Sequence, residues 1–336
     1  MDEEFARYAT QLLDRAAELR LGAFLEFARL ASRFFPPFFA SAGFSGSEAE
    51  RMTEQAIARI ETGLGEYVSE GRRDVRLWLS THLHAVVREA VDVLKKADRE
   101  LGEAAIRQTE MLSLPLAGGV EASAGFRAAR IVSGDFYDAV PCSDGGVILA
   151  VGDASGKGGA AAFYSMLALG LLRAWAPDAS EPVALMRRIN QELLIRKGSE
   201  AYLALTLARW DPEKRVLTLA NAAGCAPIVV TRKGAAFVQL TGNWLGCFSE
   251  IEVDSARLTM ATGDVIVIYS DGIADQCGEG QEDQALYTPE RLLSTLHESW
   301  GRPAQEIAAK TVDDIDAFRG TAPLTDDQTI LATRFN

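Results

Sequence analysis

The sequence predicts an α+β chain in two parts, an all-α bundle over residues 1–110 and a β-sandwich flanked by helix pairs over 111–336. Three observations predict it. Apolar residues recur at a helical period from Phe5 to about Leu101, with few interruptions. The stretch Met111 to Gly119, with Pro115 and Gly118-Gly119, breaks that period and reads as a linker. Beyond it, short apolar runs bounded by Gly, Asp or Asn follow one another, and helical patterns come in pairs. A chain of 336 residues is long for one domain and comfortable for two.

In the first part, Phe5, Tyr8, Leu12, Leu13, Ala16 and Leu19 share one helical face, and Phe24 to Phe34 continues the pattern until Pro36-Pro37 interrupts it. Ser47 is a suitable N-cap for a helix over 48–67, which Glu70-Gly71 ends. A long helix then runs from Asp74 to about Gln108 through Leu77, Leu83, Val87, Val91, Leu94 and Leu101. Its last stretch, about 85–110, is a linker helix, so 1–110 reads as a regulatory or dimerising module that feeds the second part.

In the second part, strands are expected at Val120–Ile131, Val147–Asp153, Ala201–Trp210, Arg215–Ala222, Ile228–Thr231, Ala235–Leu240, Glu252–Met260, Val265–Tyr269 and Gln328–Arg334. Lys233-Gly234 and Thr262-Gly263-Asp264 read as turns. Helices are expected at Ala160–Trp175, Pro182–Arg196, Pro289–Trp300 and Pro303–Ala317, with Pro182, Pro289 and Pro303 in the first turns.

Composition excludes several function classes. A net charge of −13 argues against nucleic acid as the main partner, because phosphate neutralisation needs clustered Lys and Arg. The four cysteines lie far apart with no CxxC pair, as in a reducing compartment. The acidic, amphipathic N-terminus is no signal peptide, and no window approaches 18 unbroken apolar residues. A cytoplasmic protein with no membrane span is expected.

The chemistry concentrates in aspartates at strand edges. Gly145–Gly152 is an apolar run leading into Asp153, then into the turn Ala154-Ser155-Gly156-Lys157-Gly158. Asp135 follows Gly134 at the end of a strand, Asp271 ends the strand Val265–Tyr269 and precedes Gly272, and Asp326 precedes the last strand. A carboxylate at a buried strand end is costly unless a cation meets it. Hard cations such as Mg²⁺ and Mn²⁺ take oxygen ligands, and a neighbouring glycine lets backbone and metal come close. The four together point to a binuclear metal site for phosphate-ester hydrolysis. Gly152–Gly158 is one residue short of a phosphate-binding loop and lacks Ser or Thr after Lys157. The histidines, His82, His84 and His297, lie away from the aspartates, so a histidine-based nucleophile has no support.

Further motifs complete a pattern: Gly134-Asp135-Phe136-Tyr137-Asp138, Asp153–Gly158, Asn221-Ala222-Ala223, Leu245-Gly246-Cys247-Phe248, Gly263-Asp264, Ser270-Asp271-Gly272 and Asp326–Thr329. In this set and order, residues from about 108 to 335 resemble the SpoIIE/RsbU-type bacterial serine/threonine phosphatases, a branch of the PPM (type 2C) metal-dependent phosphatases. Ser133 stands where that family usually has glycine, and Ala223-Gly224-Cys225 replaces its Gly-His. The resemblance implies a PPM-type β-sandwich and two Mn²⁺ or Mg²⁺ ions that promote attack of water on phosphorus. It implies that Asp153 bridges the ions with help from the Ala154 carbonyl, that Asp271 and Asp326 hold one of them, and that Asp135 binds directly or through water. Lys157 is a candidate for contact with the phosphate or its leaving group.

The substrate implied is a phosphorylated STAS-domain anti-anti-sigma protein in a partner-switching pathway that controls a sigma factor. A regulatory protein or a second protomer, as in a homodimer, is expected at the helical module. A fainter resemblance, over Ala23 to Lys96, is to the second conserved region of sigma factors, carried by Ser47–Gln55, Trp78-Leu79 and Val93–Lys96. The competing class is a scaffold that sequesters a phosphorylated partner without turnover, with the N-terminal module as a sigma mimic.

Overall fold

Runs that are apolar at every position, such as Val265–Tyr269, mark strands covered on both faces, and the architecture supplies both covers. The computed structural model describes residues 99–115, 118–195, 201–279 and 285–336. The segment Glu100–Asn336 forms one compact unit. The bundle expected over 1–98, with the Ser47 cap, His82, His84 and the sigma-like stretch, lies outside the described residues.

A helix over 99–111 (α1) enters the domain. Then come β1 (Val120–Arg127), β2 (Asp135–Pro141), β3 (Val147–Ala154), α2 (Gly159–Trp175), α3 (Pro182–Ile195), β4 (Leu203–Asp211), β5 (Val216–Ala222), β6 (Ile228–Thr231), β7 (Gly234–Phe237), β8 (Asp254–Thr259), β9 (Val265–Tyr269), a single turn α4 (Asp271–Ala274), α5 (Pro289–Leu296), α6 (Ala304–Arg319) and β10 (Gln328–Phe335). The strands make two five-stranded antiparallel sheets, ordered β2-β3-β4-β5-β8 and β1-β10-β9-β6-β7.

Three apolar layers hold the sheets and helices together. Val147, Leu149 and Val151 of β3 face Ile266 and Ile268 of β9, Leu331 and Phe335 between the sheets. Ile148 and Ala150, the alternate residues of β3, pack under Leu169 and Leu172 of α2 and Met186 and Ile189 of α3. Val265 and Val267 meet Leu292 of α5 and Ile307 of α6 on the far side of the second sheet. Period-2 alternation therefore sorts each strand into one core inside the sandwich and one beneath a helix pair. The segment Gly159–Asp178 has the length and mean hydropathy (1.2) of a membrane span. The first helix pair accounts for that composition, because Ala161, Ala168, Leu169 and Leu172 are buried against the first sheet.

Several expectations need correction. Asp135 opens β2 rather than ending β1, which stops at Arg127 where its guanidinium binds Asp316 and Gln328. The strand β2 was not expected because buried Asp135 and Asp138 hide its alternation. Asp138 is held at its outer face by Arg173 of α2 at 2.6 Å. Pro303 caps α6 from outside rather than starting it, and α5 ends at Leu296. The β6–β7 hairpin turns on Arg232-Lys233, with Gly234 already paired to Thr231. His297 packs against Gly234. Within the stretch read as a linker, Leu112 is buried and the Trp210 indole donates to the Gly118 carbonyl at 2.8 Å, so both ends pack on the domain.

Gly152 lies opposite Phe136 in the β2–β3 register, and a Cβ there would run into the Phe136 ring. Gly152→Ala is therefore expected to destabilise the domain by about 1–3 kcal/mol through overpacking. Adding Phe136→Leu should recover part of the loss, a non-additivity that denaturant unfolding of the single and double variants measures.

Candidate metal centre

Alternation along β3 points Val147, Leu149 and Val151 into the sandwich, and it carries Asp153 to the same inner face at the strand's end. Asp135 is the register partner of Asp153 on β2, so it shares that face. The second sheet brings Thr329 of β10, which donates to Asp135 Oδ2 at 2.7 Å, and Ser270, just past β9. Asp271 opens α4 directly after β9. Asp326 lies just before β10, where Lys157 Nζ reaches its Oδ2 at 3.0 Å and the Thr325 carbonyl at 3.2 Å. All the predicted aspartates thus gather at one end of the sandwich. Lys157, which the sequence left between phosphate and solvent, leans on Asp326 with both side chains about 40% exposed.

The electrostatics show a surplus of negative charge. Burial, and then the Asp153 carboxylate, raise Asp135 well above the usual carboxylate range, against the Ser270 and Thr329 hydroxyls. Asp153 is pushed up to about 7 by burial and by Asp271 and Asp326, and a hydrogen bond with Asp135 offsets part of this. Asp271 is raised by burial and by Asp275 and Asp326, against the Gly272 N–H and Lys157. Like charges gathered in a partly dry site disfavour ionisation.

The loops that carry these groups are held tightly. Asp327 Oδ1 accepts from the Ala129 N–H and its Oδ2 from the Gly134 N–H, both at 2.7 Å. The Gly134 carbonyl accepts from the Ala154 N–H at 3.1 Å, and a Cβ on Gly134 would lie 2.8 Å from the Ala154 oxygen. At Gly272 a Cβ would collide with the Asp327 carbonyl, so the glycine after Asp271 lets two acidic loops touch. The rebuilt loop after β5 turns on Asn221. Its Oδ1 accepts from Thr206 Oγ1 (2.8 Å) and the Gly224 N–H (3.0 Å), and its Nδ2 donates to the Gly224 carbonyl (2.8 Å). Ala223 takes φ 58°, a left-handed conformation that suits glycine better. This turn delivers Cys225 to a cavity of about 40 Å³ shared with Asp153, Thr206, Ser270 and Asp271. Burial, then the nearby aspartates led by Asp271, push the Cys225 thiol up to about 12.

Sequence reasoning passed over Asp327, Asp275, Ser270, Thr206 and Cys225. Asp327 had a signal in the Asp326-Asp327 doublet, but which carboxylate faces the cluster depends on the loop.

The donor set fits hard divalent cations. Its groups are carboxylates, the oxygen donors that such cations take, and burial pushes the adjacent Cys225 thiol up. A cavity of that size has room for an ion or a water beside Asp153 and Asp271. Among the described residues, no three acidic, imidazole or thiol side chains stand close enough to form a ready-made cage.

The family model for Stage II sporulation protein E (SpoIIE) matches residues 143–336, more than half of the chain. The Stage II sporulation protein E of Priestia megaterium is 28% identical over 209 residues, 62% of this chain and 34% of that protein, so the chain spans about a third of that relative's length. Among solved structures, the SiaA-PP2C domain of Pseudomonas aeruginosa aligns with 73% of this chain and 99% of its own at TM-score 0.64 and 22% identity. The PP2C phosphatase domain of SpoIIE from Bacillus subtilis, solved with a fragment of its regulatory domain, aligns with 64% of this chain and 63% of its own at TM-score 0.55 and 23% identity. At those identities the structures speak for the fold alone. Together with the acidic mouth of the sandwich, the family match leads to one conclusion: this chain belongs to the Stage II sporulation protein E (SpoIIE) family.

Proposed function

We propose that this chain dephosphorylates a phosphoserine or phosphothreonine on a small STAS-type regulatory protein, within a cytoplasmic partner-switching pathway. The observation that carries the phosphatase reading is the convergence of Asp135, Asp153, Asp271 and Asp326 at one end of the sandwich, where Lys157 offsets only part of their charge. The resemblance to the PPM phosphatases implies metal dependence. Asp153, Asp271 and Asp326, with the Ala154 carbonyl and Asp135, would hold two Mg²⁺ or Mn²⁺ ions. Such ions, when bound, polarise the phosphoryl oxygens and lower the pKa of an attacking water.

The chain's own groups do the rest. Thr329 and Ser270 fix the Asp135 carboxyl, and Asp327 fixes the turn before it. Lys157, freed from Asp326, would meet a phosphoryl oxygen. A groove of about 660 Å³ opens beside Ser155 and Gly156, lined by Phe163, Tyr164 and Tyr202. Phe163 is 82% exposed, and Trp244 packs on Tyr202 with ring centroids 5.5 Å apart. Exposed aromatics beside the acidic mouth support a protein substrate over a small phosphate ester. The segment over 1–110, for which the sequence predicts helices, would receive a regulatory protein or a second protomer.

Two experiments test this reading. With Mn²⁺, wild type hydrolyses p-nitrophenyl phosphate and a phospho-STAS protein, and Asp153→Asn lowers both rates by about 100-fold or more. In the same assay, Phe163→Ser raises KM for the phosphoprotein and leaves p-nitrophenyl phosphate turnover unchanged. Equal rates for wild type and Asp153→Asn would reject the enzyme reading in favour of a binding scaffold.

The second concerns pH in EDTA. The folded value of Asp153, about 7, lies above its ordinary 3.8, so the folded state binds the proton more tightly than the unfolded. Stability from this group is full below pH 3.8 and is lost as pH rises through about 7. Metal-free Asp153→Asn should therefore melt roughly a few °C above metal-free wild type at pH 8, with the gap closing towards pH 4. Thermal melts of both proteins across that range check it.

A further inference from the structure

In α1, among the described residues, Gln108 alone is buried; its neighbours along the helix are exposed or half-buried. Its carboxamide grips one residue twice. Gln108 Nε2 donates to the Ser133 carbonyl at 2.6 Å, and Gln108 Oε1 accepts from the Ser133 N–H at 3.0 Å. Ser133 is fully buried and stands two residues before Asp135, and its Oγ accepts from the Asp135 N–H at 3.0 Å. Gly134, between them, is held by Asp327 and by the Ala154 N–H. The start of β2 therefore hangs on the Asp326-Asp327 loop, the end of β3 and one side chain of α1.

A residue whose only task was to seat α1 on the domain would do it with an apolar side chain. A buried amide is tolerated only where its donors and acceptors are met. Here both are met by the segment that delivers Asp135. Ser133, where the family usually has glycine, extends the same chain of hydrogen bonds by one link, from helix to peptide to hydroxyl to the Asp135 amide.

We propose that Gln108 is a positioning residue for Asp135, so that the cation affinity of the acidic cluster depends on where α1 sits. Displacing α1 along its axis by one residue, about 1.5 Å, carries both bonds out of hydrogen-bonding range. The inference rests on the metal-dependent reading above and adds to it a residue that would hold one of its ligands in place.

The test is Mn²⁺ binding to the full chain by titration calorimetry, with thermal melts and turnover measured alongside. Gln108→Leu is expected to weaken Mn²⁺ binding by about tenfold, in the manner of residues that orient metal ligands, with kcat at saturating Mn²⁺ within about threefold of wild type. A purely structural role would lower the melting temperature and leave Mn²⁺ affinity unmoved. If Gln108→Leu does not fold, Ser133→Gly removes the last link and keeps the backbone contacts, and it should weaken binding about two- to threefold. Unchanged Mn²⁺ affinity in whichever variant folds overturns the proposal. Wild type that binds no Mn²⁺ overturns the metal reading itself, and this inference with it.

Discussion

Four carboxylates are brought together where the two sheets end, and their mutual repulsion is the constraint on which the rest of the structure depends. Each comes from a different element: Asp153 from β3, Asp135 from β2, Asp271 from α4 and Asp326 from the loop before β10. Three of the four are raised above the ordinary carboxylate range, in each case by burial first. A fold that gathers such groups is less stable for it in the absence of cations, so their presence is a functional commitment rather than a packing solution. The three apolar layers behind the site provide the stability that this end gives up.

The polar scaffold around the cluster follows from the same constraint. Repelling groups stay in place only if their backbones are fixed, and each acidic loop is tied to another. Asp327 ties the β10 loop to the turn before β2, Gly272 lets α4 press against Asp327, and Asn221 closes the turn that brings Cys225. Gln108 is the tie that leaves the sandwich, since α1 precedes the first strand. A change at α1 thus has a short route to Asp135, and the route runs through hydrogen bonds rather than through the apolar layers.

Much of this was legible in the sequence. The apolar runs Val147–Asp153 and Val265–Tyr269 fell within a residue of β3 and β9, because strands covered on both faces carry an unbroken apolar signal. Asp153, Asp271 and Asp326 were legible because each sits where such a run meets a turn. The start of β2 was not, because Asp135 and Asp138 are buried and balanced by Thr329 and Arg173, partners far away in sequence. The parts played by Asp327, Cys225 and Gln108 were hidden for the same reason: nothing local marks a residue whose partner lies across the fold. Ser133 and Ala223 stood out as departures from the family pattern. One builds a hydrogen bond, and the other holds a backbone conformation that its side chain disfavours.

The central claim is that this acidic mouth is a two-cation site. Crystals of the full chain grown with Mn²⁺ test it most directly, through anomalous diffraction at a wavelength where manganese scatters. The account predicts two manganese peaks between the sheets, both against Asp153, one reached by Asp271 and Asp326, with Lys157 withdrawn from Asp326. Peaks elsewhere on the surface, or an Asp326 that keeps Lys157 at saturating Mn²⁺, would contradict it.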